Sequence, residues 1–413
     1  MNKVILRIIK SHSDPFLALI IGLLCLLIAY ATGFWTLFRL TYLIFIALPV
    51  LWLWTRSMSK NLEVDISRGN SRLAQGGYLS TNITVRSTSW IPKIWLEVQD
   101  SSRPSSDLSK RIFTLSSKGV HGWDYRLQLS RRGLYKFGPV SIRVSDPFGF
   151  FKRTIYFGNE IEVLVYPDPP DIPNFYLPPA SLQSEGKIRK PTSQVTPNVS
   201  GVREYVTGDS TNRFHWPATA RTGKPMVKLF DLDPSSDIWI ILDLSKDVDI
   251  GSEAESASEL AINTTAAIFK SMILQKRSVG LIMSGATDVI LQPDRSSSHL
   301  GLAMESLALA DASGEVEMGA LLNREMRRFS RHTTVVCISA SSDALWARKL
   351  AKFRGRGINA AAILIDSESF GGEEGTQDLL KRVLAAGQIY TYGLARGDAL
   401  SDVLSAGREI TFQ

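Results

Sequence analysis

From residue 238 onward, short apolar runs alternate with amphipathic stretches, and few folds can bury such a pattern. Ile238–Asp243, Val279–Met283, Thr334–Ile338, Ala360–Ile365 and Ile389–Gly393 are near-continuous apolar runs of strand length. Between them Ala254–Leu274, Leu300–Ala310, Ala320–Phe329, Asp343–Phe353 and Thr376–Leu384 have helical spacing, and Asp288–Gln292 reads as an adjoining strand. Strands apolar on both faces and separated by such helices predict a parallel sheet covered on both sides. Ligands reach sheets of this kind at the carboxyl ends of the strands, near the switch in strand order. That rule directs attention to Asp243 and Ser245, at the end of the first strand.

The N-terminus obeys a different rule. Phe16–Phe38 is an apolar run of membrane-spanning length, broken by Arg39 and resumed over Leu40–Thr55. Two spans just fit, which predicts a tight hairpin of short or tilted helices turning near Gly33–Arg39. The flanks carry Lys3, Arg7, Lys10, Arg56 and Lys60 against Arg39 alone in the turn, so the positive-inside rule places both ends in the cytoplasm. Trp35, Trp52 and Trp54 are placed to anchor at the interface. The alternative, one span plus a buried helix, puts the remaining chain outside.

Between these regions the period changes again. Leu62–Ile66, Leu79–Val85, Ile94–Val98, Arg111–Leu115, Trp123–Leu129, Val140–Val144 and Ile161–Tyr166 alternate in polarity and are separated by Gly, Pro, Ser and Asn, the pattern of an antiparallel β-sandwich. Arg131-Arg132-Gly133 and Asp146-Pro147-Phe148-Gly149 read as turns: glycine supplies positive φ, Pro147 fixes its own φ, and Asp146 can accept from nearby amides. Pro167–Thr196 is proline-rich without a period, and is expected to wrap or link the domains.

Gly201–Asp231 crowds Arg203, Glu204, Asp209, Arg213, His215, Arg221, Lys224 and Lys228 among aromatics and glycines. Charges beside residues that favour burial need partners, so the stretch predicts a structured, fully hydrogen-bonded loop rather than a linker. It can be an interdomain brace, a partner-binding surface or a catalytic site. As a brace, Arg203, Asp209, Arg213 and Arg221 form a charge network. As a hydrolase-like site, Asp209 or Glu204 pairs with His215. No phosphate-binding glycine loop, nucleophile elbow or paired-carboxylate motif supports a reaction class, so no enzyme is expected.

The net charge of +7 is spread along 413 residues without an arginine-rich tail, and does not predict nucleic-acid binding. Cys25 and Cys337, both in apolar runs, read as small buried hydrophobes, and five scattered histidines lack zinc spacing.

The residues Arg203, Glu204, Tyr205, Gly208, Asp209, Arg213, Trp216, Ala220, Arg221, Val227 and Lys228 carry a pattern that resembles the signature of the bacterial family known as domain of unknown function 58. Arg132–Pro139 and Asp146–Gly149 match a second hallmark of that family. The resemblance implies a transmembrane helical hairpin over 1–60 and a β-rich sandwich-like domain over 61–166. A linker with the signature loop then covers 167–235, and a von Willebrand A-like α/β domain 236–413.

It also implies an inner- or plasma-membrane scaffold or protein-binding protein working in the cytoplasm with an AAA+ ATPase of the MoxR kind. The related α/β domains can hold Mg²⁺ with an Asp-x-Ser-x-Ser loop plus a threonine and an aspartate from later loops. Here Asp243, Ser245 and Asp247 fill the loop, Lys246 adds a positive charge, and Ala340 stands where the aspartate is expected. Mg²⁺ is therefore a candidate cofactor with an incomplete ligand set, a metal-dependent adhesion-type domain is the alternative reading, and partner binding around Asp243 is expected without a metal. Protease added to intact cells should spare the chain after Thr55 and added to inverted vesicles should digest it; cleavage in intact cells would sink the hairpin topology.

Overall fold

The computed structural model describes residues 2–102, 109–173, 175, 177, 199–205, 214–230, 237–252, 255–331, 333–373, 375 and 377–405. It divides into two compact units, residues 1–168 and 169–413.

The first unit opens with α1 (Asn2–Thr32) and α2 (Trp35–Met58), joined through Gly33, whose φ of 68° makes the reversal. The turn is therefore tighter than Gly33–Arg39, with Arg39 already inside α2. Pro15–Thr32 and Trp35–Met58 are each long and apolar enough to cross a membrane. The helices approach closely at Gly22, where a Cβ would stand 3.2 Å from Ile44 Cγ2. Thr41 and Thr55 return their hydroxyls to the carbonyls of Leu37 and Leu51 within α2, so neither exposes an unmet donor.

Among the described residues ten strands follow: β1 (Leu62–Arg68), β2 (Arg72–Ala74), β3 (Tyr78–Ser87), β4 (Lys93–Asp100), β5 (Lys110–Leu115), β6 (Val120–Gln128), β7 (Gly133–Phe137), β8 (Val140–Ser145), β9 (Lys152–Phe157) and β10 (Ile161–Tyr166). They form three sheets, ordered β1-β3-β6, β5-β4-β8-β9 and β2-β10-β7, antiparallel except for the parallel β2–β10 pair. Alternate residues such as Ile83, Val85, Leu96, Val98, Ile142 and Val144 fill the core. Strands β2, β7 and β9 escape the sequence pattern; they are short or mostly exposed, so alternation is weak in them. The two turns are as expected: Gly133 has φ 134°, and Asp146 accepts from the amides of Phe148 (3.0 Å) and Phe151 (2.5 Å).

Besides Asp146, Lys93 and Asp100 are buried charged groups among the described residues of this unit. Lys93, fully buried, donates from Nζ to the Ser57 carbonyl at the C-terminal end of α2 (2.7 Å), where the helix dipole favours a cation. Burial pushes its ammonium pKa down. Asp100 accepts from Arg68 (3.1 Å) and from the Tyr125 hydroxyl (2.5 Å), so that its two oxygens are shared between a guanidinium and a phenol. Burial, then the Asp100 carboxylate, pushes the Tyr125 hydroxyl up, and the phenol remains a donor. Arg68→Ala leaves Asp100 buried without its counter-ion and should cost about 3–5 kcal/mol in denaturant melting of the detergent-solubilised protein, against about 1 kcal/mol for Tyr125→Phe. Equal effects would show that the ion pair is not what the network depends on.

In the second unit β11 (Val199–Glu204) and β12 (Met226–Phe230) form an antiparallel pair with α3 (Trp216–Thr222) between them. After β13 (Ile238–Asp243) come the short β14 (Gly251–Ser252) and β15 (Glu255–Ser256), α4 (Ala257–Leu274), β16 (Val279–Ser284), β17 (Asp288–Asp294), α5 (Ser297–Ala308) and α6 (Met318–Glu325). The chain continues through β18 (Thr334–Ser339), α7 (Ala344–Gly355), β19 (Asn359–Ile365), α8 (Gln377–Ala386), β20 (Tyr390–Leu394) and α9 (Leu400–Ser405). The six-stranded sheet has the order β17-β16-β13-β18-β19-β20.

This is a von Willebrand A-like α/β arrangement, and β13 supplies alternate side chains to both sides. Ile238, Ile240 and Leu242 join the core with α4, α5 and α9, while Trp239 and Ile241 join the one with α6, α7 and α8. The sheet is not wholly parallel, because β17 pairs antiparallel with β16. The Gly285–Thr287 connection allows only a hairpin, since a parallel return needs a crossover of a dozen or more residues. Helix α4 begins later than its periodicity suggests, at Ala257, where Ser256 accepts from the Glu259 amide. From the proline-rich stretch, Ile172 and Phe175 are buried in the α/β core, and Ser271 donates to the Ile172 carbonyl (2.9 Å).

Candidate functional site

The sheet order reverses around its first strand: β13 leads to β16 on one side, and β18 lies on the other. At the carboxyl ends of β13 and β18 the side chains meet. Asp243, buried, receives the Ser245 amide (3.1 Å) and hydroxyl (2.9 Å) on Oδ1 and the Ser339 hydroxyl (2.6 Å) on Oδ2. Ser339 is held in turn by accepting from the Ser341 amide at 2.9 Å. The adjoining loop passes very close, and at Gly314 a Cβ would lie 2.5 Å from the Ser284 carbonyl oxygen. Only glycine permits that approach, which lets Lys246 N donate to Gly314 O (2.9 Å) and Gly314 N donate to Leu244 O (2.9 Å).

The electrostatics are one-sided. Burial raises the Asp243 pKa, the three donated hydrogen bonds oppose the rise, and the charge of Glu317 adds to it. Among the described residues no Lys, Arg or His forms an ion pair with Asp243. Asp247 and Lys246 are exposed. A hard divalent cation takes oxygen ligands, and Asp243, Ser245 and Ser339 present oxygens of the right kind, with Ser339 beside the position that Ala340 leaves without a carboxylate, while Glu317, exposed, acts on Asp243 through charge. Among the described residues no group of three or more His, Cys, Asp or Glu is gathered to hold a metal, so such a site would depend on hydroxyls and solvent. Asp243 and Ser245 are legible in the sequence as strand-end residues, whereas Ser339 as the partner of Asp243 and Glu317 as an acid acting on it are not. A hydroxyl ending an apolar strand beside the switch was the available signal; nothing in the sequence marked Glu317.

The signature stretch contains more regular structure than a loop, as the β11–β12 pair and α3 show. His215 caps α3: its Nδ1 accepts from the Ala218 amide (3.0 Å) and its own amide donates to the Met226 carbonyl (2.8 Å). An Nδ1 that accepts belongs to a neutral ring with the proton on Nε2. Tyr205, Phe214 and Trp216 pack in series with tilted rings, successive centroids 5.4 Å apart, and Trp216 is 68% exposed. Arg221 is exposed on α3. Asp209 and Arg213 lie outside the described residues, as do the side chains of Arg203, Glu204 and Lys228. The charge network and the carboxylate–His215 pair expected there involve those positions.

Two variants probe the strand-end site. Ser339→Ala leaves a buried carboxylate oxygen short of a donor and should cost about 1–3 kcal/mol. For Asp243 the folded-state pKa is raised, so the folded protein holds the proton more tightly and loses stability as pH rises from the ordinary carboxylate range through the folded value. Asp243→Asn cannot titrate there. The stability difference between native protein and this variant should therefore shift in the variant's favour as pH rises above the ordinary carboxylate pKa of about 4; melting curves showing the opposite drift would refute the assignment.

Residues 201–369 match the family described as Protein of unknown function DUF58. The uncharacterized protein YeaD of Bacillus subtilis is 24% identical over 62% of this chain and 63% of its own length. An uncharacterized protein of Mycobacterium bovis is 33% identical over 30% of this chain and 42% of its own. The chain thus spans less than two thirds of these relatives. Similar solved structures include proximal thread matrix protein 1 from the mussel byssus, 12% identical with a TM-score of 0.31 over 42% of this chain and 46% of that one. Another is the CARDB domain of PF1109 from Pyrococcus furiosus in complex with di-metal ions, 13% identical with a TM-score of 0.19 over 25% of this chain and 86% of that one. A DUF58-family domain is present in part of this chain, over residues 201–369.

Proposed function

We propose that the α/β region is an adhesion-type protein-binding module carried on a membrane-anchored chain, and that it receives its partner at the carboxyl-end face of the sheet with the help of a divalent cation. The observation that carries this reading is Asp243: a buried carboxylate at the strand switch, with hydroxyls from two strand ends on its oxygens and, among the described residues, another acid, Glu317, but no cation acting on it through charge. Groups perturbed by burial without a compensating charge concentrate at functional sites. A Mg²⁺-class ion would draw on Asp243, Ser245 and Ser339, supply the missing positive charge and leave a ligand position for a partner's acidic side chain. This departs from the metal-free expectation because Ser339 offers an oxygen next to Ala340 and Glu317 a second acid.

The partner suggested by the family resemblance is an AAA+ ATPase of the MoxR kind. The basic flanks of the helix pair support a plasma-membrane location with the bulk of the chain cytoplasmic. Metal-free docking of the same partner on the same face is the second reading, supported by the complete set of hydrogen bonds that Asp243 already accepts.

Calorimetric titration of the detergent-solubilised full chain with Mg²⁺ and Mn²⁺ should show saturable binding that disappears in a still-folded Asp243→Ala variant. Partner captured from solubilised membranes should then bind at least about tenfold more weakly in chelator, equivalent to about 1.4 kcal/mol. Equal capture with and without chelator, but loss in the variant, selects metal-free docking; capture unaffected by either removes this face from the proposal.

A further inference from the structure

The loop that follows β8 carries three phenylalanines that the core does not absorb. Phe148 is 74% exposed, and Phe150 and Phe151 are half-buried. Their position is fixed: Asp146, itself buried, accepts from the amides on either side of the exposed tip, and Gly149 turns it with φ 76°. A rigid turn that displays an aromatic ring in water has no gain in stability to explain it.

The surroundings of the tip supply one. Phe148 and Phe150 line an apolar groove of about 340 Å³ together with Leu17 and Ile21 of α1 and Ala47 and Leu51 of α2. Phe151 lies in a second, wider apolar groove with Phe16, Leu48 and Trp52. The phenylalanines therefore extend the outer surface of the two helices that are long and apolar enough to cross a membrane. They meet α1 at the start of its apolar window, Pro15–Thr32, and α2 in the turns before Arg56. Leu48 precedes Arg56 by about 12 Å along the helix at 1.5 Å per residue, within the acyl region if Arg56 is at the headgroups. Lys152 and Arg153, exposed, follow the loop directly and are suited to lipid phosphates.

We infer that the Asp146–Phe151 loop is a third membrane contact, a wedge from the β-rich unit that places Phe148 and Phe150 among the acyl chains of the leaflet and fills the grooves with lipid. The inference rests on the membrane reading of the helix pair. It gives the β-rich unit a fixed attachment to the bilayer beyond a tether, through apolar burial on one side of the loop and charge on the other.

The test uses the full chain in a Cys25→Ser background, with the fully buried Cys337 left in place, reconstituted in phosphatidylcholine–phosphatidylglycerol vesicles. An environment-sensitive thiol dye is attached in turn to Phe148→Cys, Phe150→Cys, Leu24→Cys on the exposed side of α1, and Asp124→Cys on an exposed position of β6. Lipids carrying a nitroxide near the headgroup should quench the dye at 148 and 150, and lipids carrying one deep in the acyl chain the dye at 24, each at least about threefold more than at 124, with emission at 148 and 150 shifted to the blue as expected for shallow acyl insertion. If the dye at 24 is quenched while those at 148 and 150 respond to aqueous iodide instead, the wedge is overturned and the membrane reading survives. If none of the four is quenched by lipid, the membrane reading fails and takes the wedge with it.

Discussion

A sheet buried on both faces has nowhere to present chemistry except at its ends, and that constraint organises the second unit. Helices α4, α5 and α9 close one side and α6, α7 and α8 the other, so every interior position of β13, β16 and β18 is apolar packing. The polar groups begin where the strands stop. Asp243, Ser245 and Ser339 occupy the first positions at which a carboxylate can be held by donors without disturbing the core. The close passage at Gly314 keeps those donors in place. A charge there, without a cation, is costly to the fold and becomes useful when something that binds the face supplies the opposite charge.

The first unit handles buried charge in another way. Lys93 takes a helix carbonyl, and Asp100 takes a guanidinium and a phenol, so each ionic group meets an internal partner. These contacts tie α2 to the β-rich core and one sheet to another, where apolar packing alone would allow sliding. The contrast between an Asp100 paired with a guanidinium and an Asp243 buried without a cation among the described residues separates a structural network from a candidate site within one chain.

The signature stretch was the most unusual part of the sequence, and in the described residues its chemistry is largely local. His215 caps a helix, Tyr205, Phe214 and Trp216 form an aromatic series, and Gly223 ends α3 with φ 70°. Trp216 remains exposed, as a surface that meets a partner would be.

The fold was legible where its period was strong. Six strands and five helices of the α/β region could be placed because runs such as Ile238–Asp243 are apolar at every position and the helices between them carry a wide apolar stripe. The turns at Gly133 and Asp146 were legible because glycine conformation and Asp–amide bonding are properties of a few adjacent residues. Tertiary structure alone decided the rest. The antiparallel direction of β17 follows from a connection too short to cross the sheet, and strands β2, β7 and β9 exist because neighbours pair with them. Ser339 reaches Asp243 across 96 positions of sequence, a meeting set by strand order, which no local pattern encodes.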